Sequence, residues 1–100
     1  MTPTITFPDA KHVKASVGAG ETSSPIYVSP QCVVVAKPGS GGTMLVEATW
    51  SSTADVDGGT ANWFAWDAGA VSAIANQLLL NARAVRFTAT TQIGTAEVAL

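Results

Sequence analysis

The sequence has few of the residues that most often carry chemistry. It contains one cysteine, Cys32, and one histidine, His12. A single cysteine cannot close an intrachain disulfide, and one cysteine with one histidine is too few for a structural zinc site. The chain also lacks the GxSxG, HExxH, P-loop and GxGxxG motifs. We therefore expect no enzymatic activity, no cofactor and no metal, and we expect His12 to be a surface side chain.

Charge is also scarce. Charged residues make up 12% of the chain, about half of the usual fraction, and the net charge is −2. No Lys or Arg occurs between Pro38 and Ala82. This balance favours neither a nucleic-acid partner nor a membrane partner. A surface with so few charges is typical of a protein that its neighbours cover in an assembly, although a surface of Ser, Thr and Ala loops would have the same composition.

Long hydrophobic runs are missing as well. No apolar run approaches the roughly 18 residues that a membrane-spanning helix needs. The N-terminal residues MTPTITFPDAKH have no basic stretch followed by an apolar segment, so they do not resemble a secretory signal. We expect a soluble protein that is made in a cytoplasm.

Turn-forming residues, in contrast, recur about every 8–12 residues. They are Pro8-Asp9, Gly18-Ala19-Gly20, Ser29-Pro30, the loop at 38–42, Asp57-Gly58-Gly59, Gly69 and Gly94. The segments between them are rich in Val, Thr, Ile and aromatic residues, which suit strands. This spacing predicts an all-β protein, a single antiparallel β-sandwich of about seven to nine short strands, of which a jelly roll is one form. All of residues 1–100 are predicted to belong to this one domain.

Alternating patterns predict where the strands pair. In residues 84–100, Val85 and Phe87 share one face of a strand and a second alternating strand follows a short turn. We predict a hairpin here, with Arg86 beside Glu97 on its solvent face. A second hairpin is predicted to join the strands at 32–37 and 43–51.

The remaining strands are predicted from shorter patterns. Residues 12–17 alternate, and residues 25–29 make another short strand. The run Val33-Val34-Val35 is apolar on both faces, so it should lie in the middle of a sheet or against another subunit.

Two segments allow more than one prediction. In residues 71–80 the apolar side chains fall at helical intervals, but the preferred prediction is a loop and then a strand through Leu78–Leu80, because no capping residue precedes a helix. Asp55 and Asp57 precede two glycines, as in an oxygen-rich calcium loop. The other acidic ligands of such a loop are missing, so a solvated turn is the preferred prediction.

The stretch ANWFAWDAG, residues 61–69, concentrates three of the large aromatic side chains. Strand alternation places Phe64 and Trp66 on one face and Trp63 on the other, so the three rings cannot form one sugar-binding platform. We predict that Phe64 and Trp66 pack in the core near Trp50. Trp63 should lie on the opposite face beside Asp67.

The second half of the chain also carries a pattern of residue types and spacing. It consists of Trp63, Trp66 and Gly69, then the strand Ala84-Val85-Arg86-Phe87-Thr88-Ala89, and then Gly94-Thr95-Ala96-Glu97-Val98. Over about residues 43–100 this pattern resembles small β-sandwich virion structural proteins of tailed bacteriophages. The chain departs from the pattern where Asn81-Ala82-Arg83 stands in place of a Gly-Pro before the arginine strand.

The resemblance implies a virion protein, most specifically a capsid decoration (cement) protein that binds and stabilises the head shell. Tail or head–tail connector subunits are the alternative within this class, and a carbohydrate-binding module is the alternative outside it. The implied partners are the major capsid protein, copies of the chain itself, or both, with a trimer expected first because shells offer three-fold positions.

Residues 1–8 are predicted to form either an extended arm lying on a neighbour or a first strand of the domain. The candidate interface residues are Ile5, Phe7, Trp63, Asp67, Arg83 and Arg86.

Overall fold

The chain folds into nine β-strands and one short helix over the residues that its computed structural model describes, which are 4–9, 12–28 and 31–99. For residues 4–9 the description covers the backbone and the Ile5 side chain. The strands are β1 Thr4–Asp9, β2 His12–Val17, β3 Ile26–Tyr27, β4 Gln31–Lys37, β5 Thr43–Thr49, β6 Phe64–Ala65, β7 Ala75–Leu80, β8 Ala84–Thr90 and β9 Gly94–Ala99, and the helix is α1 Thr53–Gly58.

The strands form two antiparallel sheets that pack as a sandwich. Sheet A has the order β1-β2-β9-β4-β7, and sheet B has the order β3-β8-β5-β6. Strand β2 pairs with β9, β3 with β8, β4 with β7 and β5 with β6. Such nested pairs, wrapped around a sandwich, are the topology of a jelly roll. The predicted all-β sandwich and the predicted strand number are confirmed.

Both predicted hairpins are wrong in the same way. Strands β8 and β9 lie in different sheets, and so do β4 and β5. The connections at 91–93 and 38–42 carry the chain from one sheet to the other. They also contact each other, because the Thr91 hydroxyl donates a hydrogen bond to the Gly41 carbonyl oxygen over 3.2 Å. Apolar faces that would have been neighbours in one sheet therefore face each other across the sandwich.

The predicted alternation of buried and exposed residues within the strands is confirmed. This alternation does not depend on which strands pair with each other. Strand β9 buries every second residue, and β2 and β4 do the same. The largest fully buried side chains are Phe87, Met44, Val13, Val17, Val34, Val46, Val85 and Val98. Strand β4 lies inside sheet A between β9 and β7, which confirms the mid-sheet prediction for residues 33–35.

Residues 71–80 form a strand and not a helix. Strand β7 runs through Ala75–Leu80 and pairs with β4 over its full length. The preferred prediction of a loop and a strand is confirmed, although the strand begins earlier than predicted. Leu79 points into the core, while Leu78 and Leu80 lie on the outer face.

The predicted turn at Asp55–Gly59 is wrong, because residues 53–58 form helix α1. The Ser52 side chain accepts a hydrogen bond from the Asp55 backbone N–H over 3.2 Å, which caps the helix. Gly59 ends the helix in the left-handed conformation, with φ of 77°. The Tyr27 hydroxyl donates a hydrogen bond to Asp57, which links the helix to β3 of sheet B. No helix in the described part of the chain has the length and apolar character to cross a membrane.

The N-terminal segment is a strand of the domain over the described residues 4–9. Strand β1 pairs antiparallel with β2 at the edge of sheet A. The Ile5 side chain is half-buried and packs against the core. Of the two predictions for residues 1–8, the first strand therefore applies to residues 4–8, and residues 1–3 lie outside the described residues.

Candidate interaction surface

The outer face of sheet B carries a cluster of Trp63, Arg86 and Glu47. Glu47 and Arg86 face each other on β5 and β8, and Arg86 Nε donates to Glu47 Oε1 over 3.0 Å. The Arg86 guanidinium carbon lies 4.4 Å from the centroid of the Trp63 ring. A cation over an indole face is attracted by the ring quadrupole. The fold thus brings together two predicted interface residues, Trp63 and Arg86, that the sequence did not place in contact.

The predicted pairing of Arg86 with Glu97 is wrong. Arg86 lies in sheet B, and Glu97 lies on β9 in sheet A, opposite Lys14 and Val35. Because the chain changes sheets after β8, the partner of Arg86 comes from β5 instead.

Trp66 lies in the core, as predicted. Only 4% of its surface is exposed, and its indole Nε1 donates to the Gly69 carbonyl oxygen over 2.6 Å. A buried indole needs such a partner for its N–H group. Gly69 adopts φ of 64°, a conformation that favours glycine. This turn follows β6 and holds the indole ring in place.

The predicted burial of Phe64 and Trp50 is wrong. Phe64 is 57% exposed and Trp50 is 49% exposed. Phe64 pairs with Ala48, so it does share the face of Trp66, but β6 is a two-residue strand at the margin of sheet B. Trp50 directly follows the end of β5. The two rings pack on each other there, with centroids 6.3 Å apart and planes inclined at 57°.

An exposed apolar surface continues from this aromatic pair onto strand β7. The Trp50 indole Nε1 donates to the Leu80 carbonyl oxygen over 3.0 Å. Leu80 is 53% exposed, Leu78 is 54% exposed, and Val33 lies opposite Leu78 on β4 and is 38% exposed. We name Val33, Trp50, Phe64, Leu78 and Leu80 the apolar edge surface.

The residues of the apolar edge surface were not among the interface residues predicted from the sequence. The signals were present, because Leu78-Leu79-Leu80 and Val33-Val34-Val35 are apolar on both faces of their strands. For a strand inside a sheet with a solvated outer face, alternation would place polar residues at 33, 78 and 80. The apolar residues at these three positions therefore show that the outer face of sheet A is unusually apolar.

The remaining predicted interface residues are dispersed. Asp67 is exposed, and its backbone N–H donates to Gln77 Oε1 over 3.1 Å. Arg83 is exposed just before β8, beside a surface depression of about 170 Å³ that Asn81 also lines. Within the described ranges, no hydrogen bond or ion pair joins Asp67 or Arg83 to Trp63. Ile5 lines a groove of about 320 Å³ beside β3. The Phe7 side chain lies outside the described residues.

The side chains that could react or bind a metal do not lie close together. Among residues 4–9, 12–28 and 31–99, no group of three or more His, Cys, Asp or Glu side chains comes together. His12 is exposed on β2, as predicted. Cys32 is buried in the core, and burial raises the pKa of its thiol. Hydrogen bonding to Asp57 raises the pKa of the exposed Tyr27. The arrangement offers apolar and aromatic contact more than it offers reactive groups.

Comparisons with known proteins agree with the fold. No protein-family model matches the sequence, and no curated protein matches it significantly. Solved structures of oxalate oxidase do match, including complexes with glycolate. The TM-scores are 0.52, 0.54 and 0.52, at 15%, 16% and 15% identity, over 87% of this chain. The chain covers 39% of the length of each oxidase chain. At this identity the likeness establishes a shared two-sheet β fold alone.

Proposed function

We propose that this chain is a non-enzymatic structural protein of a bacteriophage particle, and most specifically a capsid decoration protein that binds and stabilises the head shell. The observation that carries the proposal is the apolar edge surface, a group of exposed valine, leucine and aromatic side chains from both sheets, which the Trp50–Leu80 hydrogen bond joins. Exposed apolar patches mark sites of protein–protein contact. A protein that works by contact needs such a patch and needs no reactive groups.

The resemblance to virion proteins gains support from the positions of its residues in the fold. Trp63 and Arg86, from separate parts of the pattern, stack on each other. Trp66 binds the carbonyl oxygen of Gly69. Gly94 packs so closely on Met44 that an added Cβ would lie 2.7 Å from its Cγ. The pattern therefore describes residues that hold the sandwich together, as expected for a likeness of architecture.

Shell binding would rest on many weak contacts. The chain has few charges, so steering over long distances contributes little, and apolar area supplies most of the free energy of binding. A symmetric shell offers the same site many times. When several copies bind as one oligomer, each further contact is intramolecular, so modest affinity at one site gives stable coverage.

An enzymatic role has less support. The likeness to oxalate oxidase concerns the fold, and the same fold hosts unrelated functions. The space between the sheets is filled by apolar side chains, with Ser23 and Thr49 as the buried polar residues in the described part of the chain. Ser23 accepts a hydrogen bond from the backbone of Phe87 over 2.9 Å. These groups serve the packing of the fold.

A carbohydrate-binding role also has less support. Sugar platforms present coplanar rings, whereas the exposed rings of Trp50 and Phe64 are inclined at 57°. The face of Trp63 is occupied by Arg86. A glycan array probed with the purified chain tests this alternative, and we expect no binding.

The shell-binding test uses shells of the phage that encodes the chain, assembled without it. Purified chain is added, and bound protein is separated by sedimentation. We expect saturable binding and a higher melting temperature of the shell. Absence of binding, with unchanged shell stability, would overturn the proposal. The matched variant Trp63→Ala, compared with Ile93→Ala at an exposed apolar position elsewhere, reports whether the outer face of sheet B takes part.

A further inference from the structure

We propose that strand β7 pairs with β7 of a second copy of this chain across a two-fold axis, so that sheet A continues from one copy into the other. This goes beyond the proposed virion role and does not depend on it. It rests on the unpaired edge of β7 and on the apolar edge surface beside it, and it assigns that surface to the contact between two copies of the chain. Strand β7 is the outer strand of sheet A, and in the described part of the chain its second edge has no strand partner. An edge of this kind is a template for another strand.

The other sheet edges are protected in ways that β7 is not. Strand β1 contains Pro8, and its register shifts between Thr6 and Asp9. Strand β3 has two residues and follows Pro25. Strand β6 also has two residues, and a turn separates it from Val71, which returns to pair with β5. Short strands, prolines and bulges are the usual means of blocking edge pairing.

Strand β7 has none of these features. It runs for six residues without proline or a register shift. Residues 68–82 contain no charged side chain. Natural edges commonly carry a lysine or another charge that prevents association. This contrast between β7 and the other edge strands favours pairing of the free edge of β7 with another strand.

The absence of charge also favours a second copy over another partner. Across a two-fold axis each strand meets itself in the antiparallel direction, so residues near the axis face their own kind. A charged residue there would meet a like charge. A leucine that faces a leucine or an asparagine causes no repulsion between like charges. Leu78 and Leu80 of both copies would also lie on the same face of the continued sheet.

Exposed apolar side chains near the edge add contact area. The five side chains of the apolar edge surface each leave on the order of 100 Å² exposed. Two copies together therefore offer at most roughly 1,000 Å² of this area, which is about the minimum for a specific interface. Backbone hydrogen bonds along β7 come in addition, except at the Leu80 carbonyl oxygen, which already accepts a hydrogen bond from the Trp50 indole.

The test measures the mass of the full purified chain in solution at about 100 µM, well above a micromolar Kd. We expect twice the 10.2 kDa of one chain. The double variant Leu78→Arg/Leu80→Arg should be monomeric, because it places like charges beside the axis. Ile93→Arg, at an exposed apolar position in the turn before β9, should remain dimeric. If the double variant fails to fold by circular dichroism, Asn76→Arg on the same face of β7 takes its place.

Hydrogen exchange identifies the edge itself. Amides of residues 75–80 that point away from β4 should exchange at least 10-fold more slowly in the dimer than in the monomeric variant. A monomeric or trimeric mass for the unaltered chain would overturn the proposal, and so would a dimer that survives the arginine variants. No shells are present in this experiment, so its failure leaves the virion role to its own test.

Discussion

The indole nitrogen of Trp50 and the backbone carbonyl oxygen of Leu80 form a hydrogen bond of 3.0 Å that joins the two sheets at their exposed side. Trp50 directly follows β5 of sheet B, and Leu80 is the last residue of β7 in sheet A. The Trp50 ring also packs on Phe64. This exposed tryptophan is therefore held in place from both sheets and forms a fixed part of the surface.

Replacing Trp50 by phenylalanine removes the N–H donor and keeps an aromatic ring. We expect the free energy of unfolding to fall by about 1 kcal/mol, the typical contribution of one hydrogen bond. The measurement is urea denaturation in the Leu78→Arg/Leu80→Arg background, where subunit dissociation does not contribute. Trp50→Ala, which also loses the contact with Phe64, should cost more. Unfolding free energies equal to that of the parent would show that the bond does not join the sheets.

Trp66 and Trp63 should differ sharply on replacement by alanine. Trp66 is buried and its N–H group is bonded, so Trp66→Ala should cost about 3–5 kcal/mol of unfolding free energy. Trp63 is half-buried on the outer face of sheet B, so Trp63→Ala should cost about 1 kcal/mol. Thermal or urea denaturation of both variants gives the order. The opposite order would mean that the register of β6 is off by one residue.

Arg86 and Glu47 should show a small, salt-dependent coupling. Their side chains are 31% and 21% exposed, so water screens the pair and a coupling energy of about 0.5–1 kcal/mol is expected. A double-mutant cycle with Arg86→Gln and Glu47→Gln measures it, and 1 M salt should reduce it. The control cycle of Arg86→Gln with Glu97→Gln should give no coupling, because Glu97 lies in the other sheet. Coupling in the control cycle alone would contradict the assigned pairing.

Gly94 should not tolerate a side chain. An added Cβ would lie 2.7 Å from the Cγ of Met44, so the fully buried methionine side chain would have to shift. We expect Gly94→Ala to cost about 1–3 kcal/mol through overpacking. Met44→Val shortens the obstructing side chain. The double variant should therefore be less destabilised than the sum of the two single variants, and strict additivity would argue against the contact.

Cys32 should react slowly and make stability depend on alkaline pH. Burial raises the pKa of its thiol above the ordinary value of about 8.5. The unfolded chain then loses the thiol proton at lower pH than the folded chain, so stability is complete below about pH 8.5 and falls as the pH rises toward the folded pKa. Denaturation from pH 7 to 10 should show a steeper fall for the parent than for Cys32→Ala. Rapid thiol labelling of the folded chain at pH 8 would contradict the buried position.

Sequence periodicity predicted the local features of the fold well. Alternation identified the buried faces of β2, β8 and β9, because the direction of each side chain depends on its own strand alone. The choice of partner strand does not follow from alternation. The connections at 91–93 and 38–42 have the length of hairpin turns, yet each crosses between the sheets. A short connection is compatible with both geometries, so both hairpins were predicted wrongly.

The aromatic residues show a second limit of prediction from alternation. Alternation separated Trp63 from Trp66 correctly, but it does not report whether a strand lies inside a sheet or at its margin. Phe64 faces inward and is exposed because β6 is a margin strand. The helix α1 carried a sequence signal that was missed, since Ser52 followed by Asp55 three residues later is a helix N-cap pattern. The apolar edge surface required the sheet order, which decides whether leucines on two faces are buried.

The proposed virion role is tested most directly by counting copies of this chain in purified particles from the source of its gene. Quantitative mass spectrometry gives the ratio of the chain to the major capsid protein. A decoration protein should be present in hundreds of copies, in a fixed ratio to the shell subunit that shell symmetry allows. About a dozen copies would assign the chain to a connector or tail instead. Absence from the particles would contradict the virion role altogether.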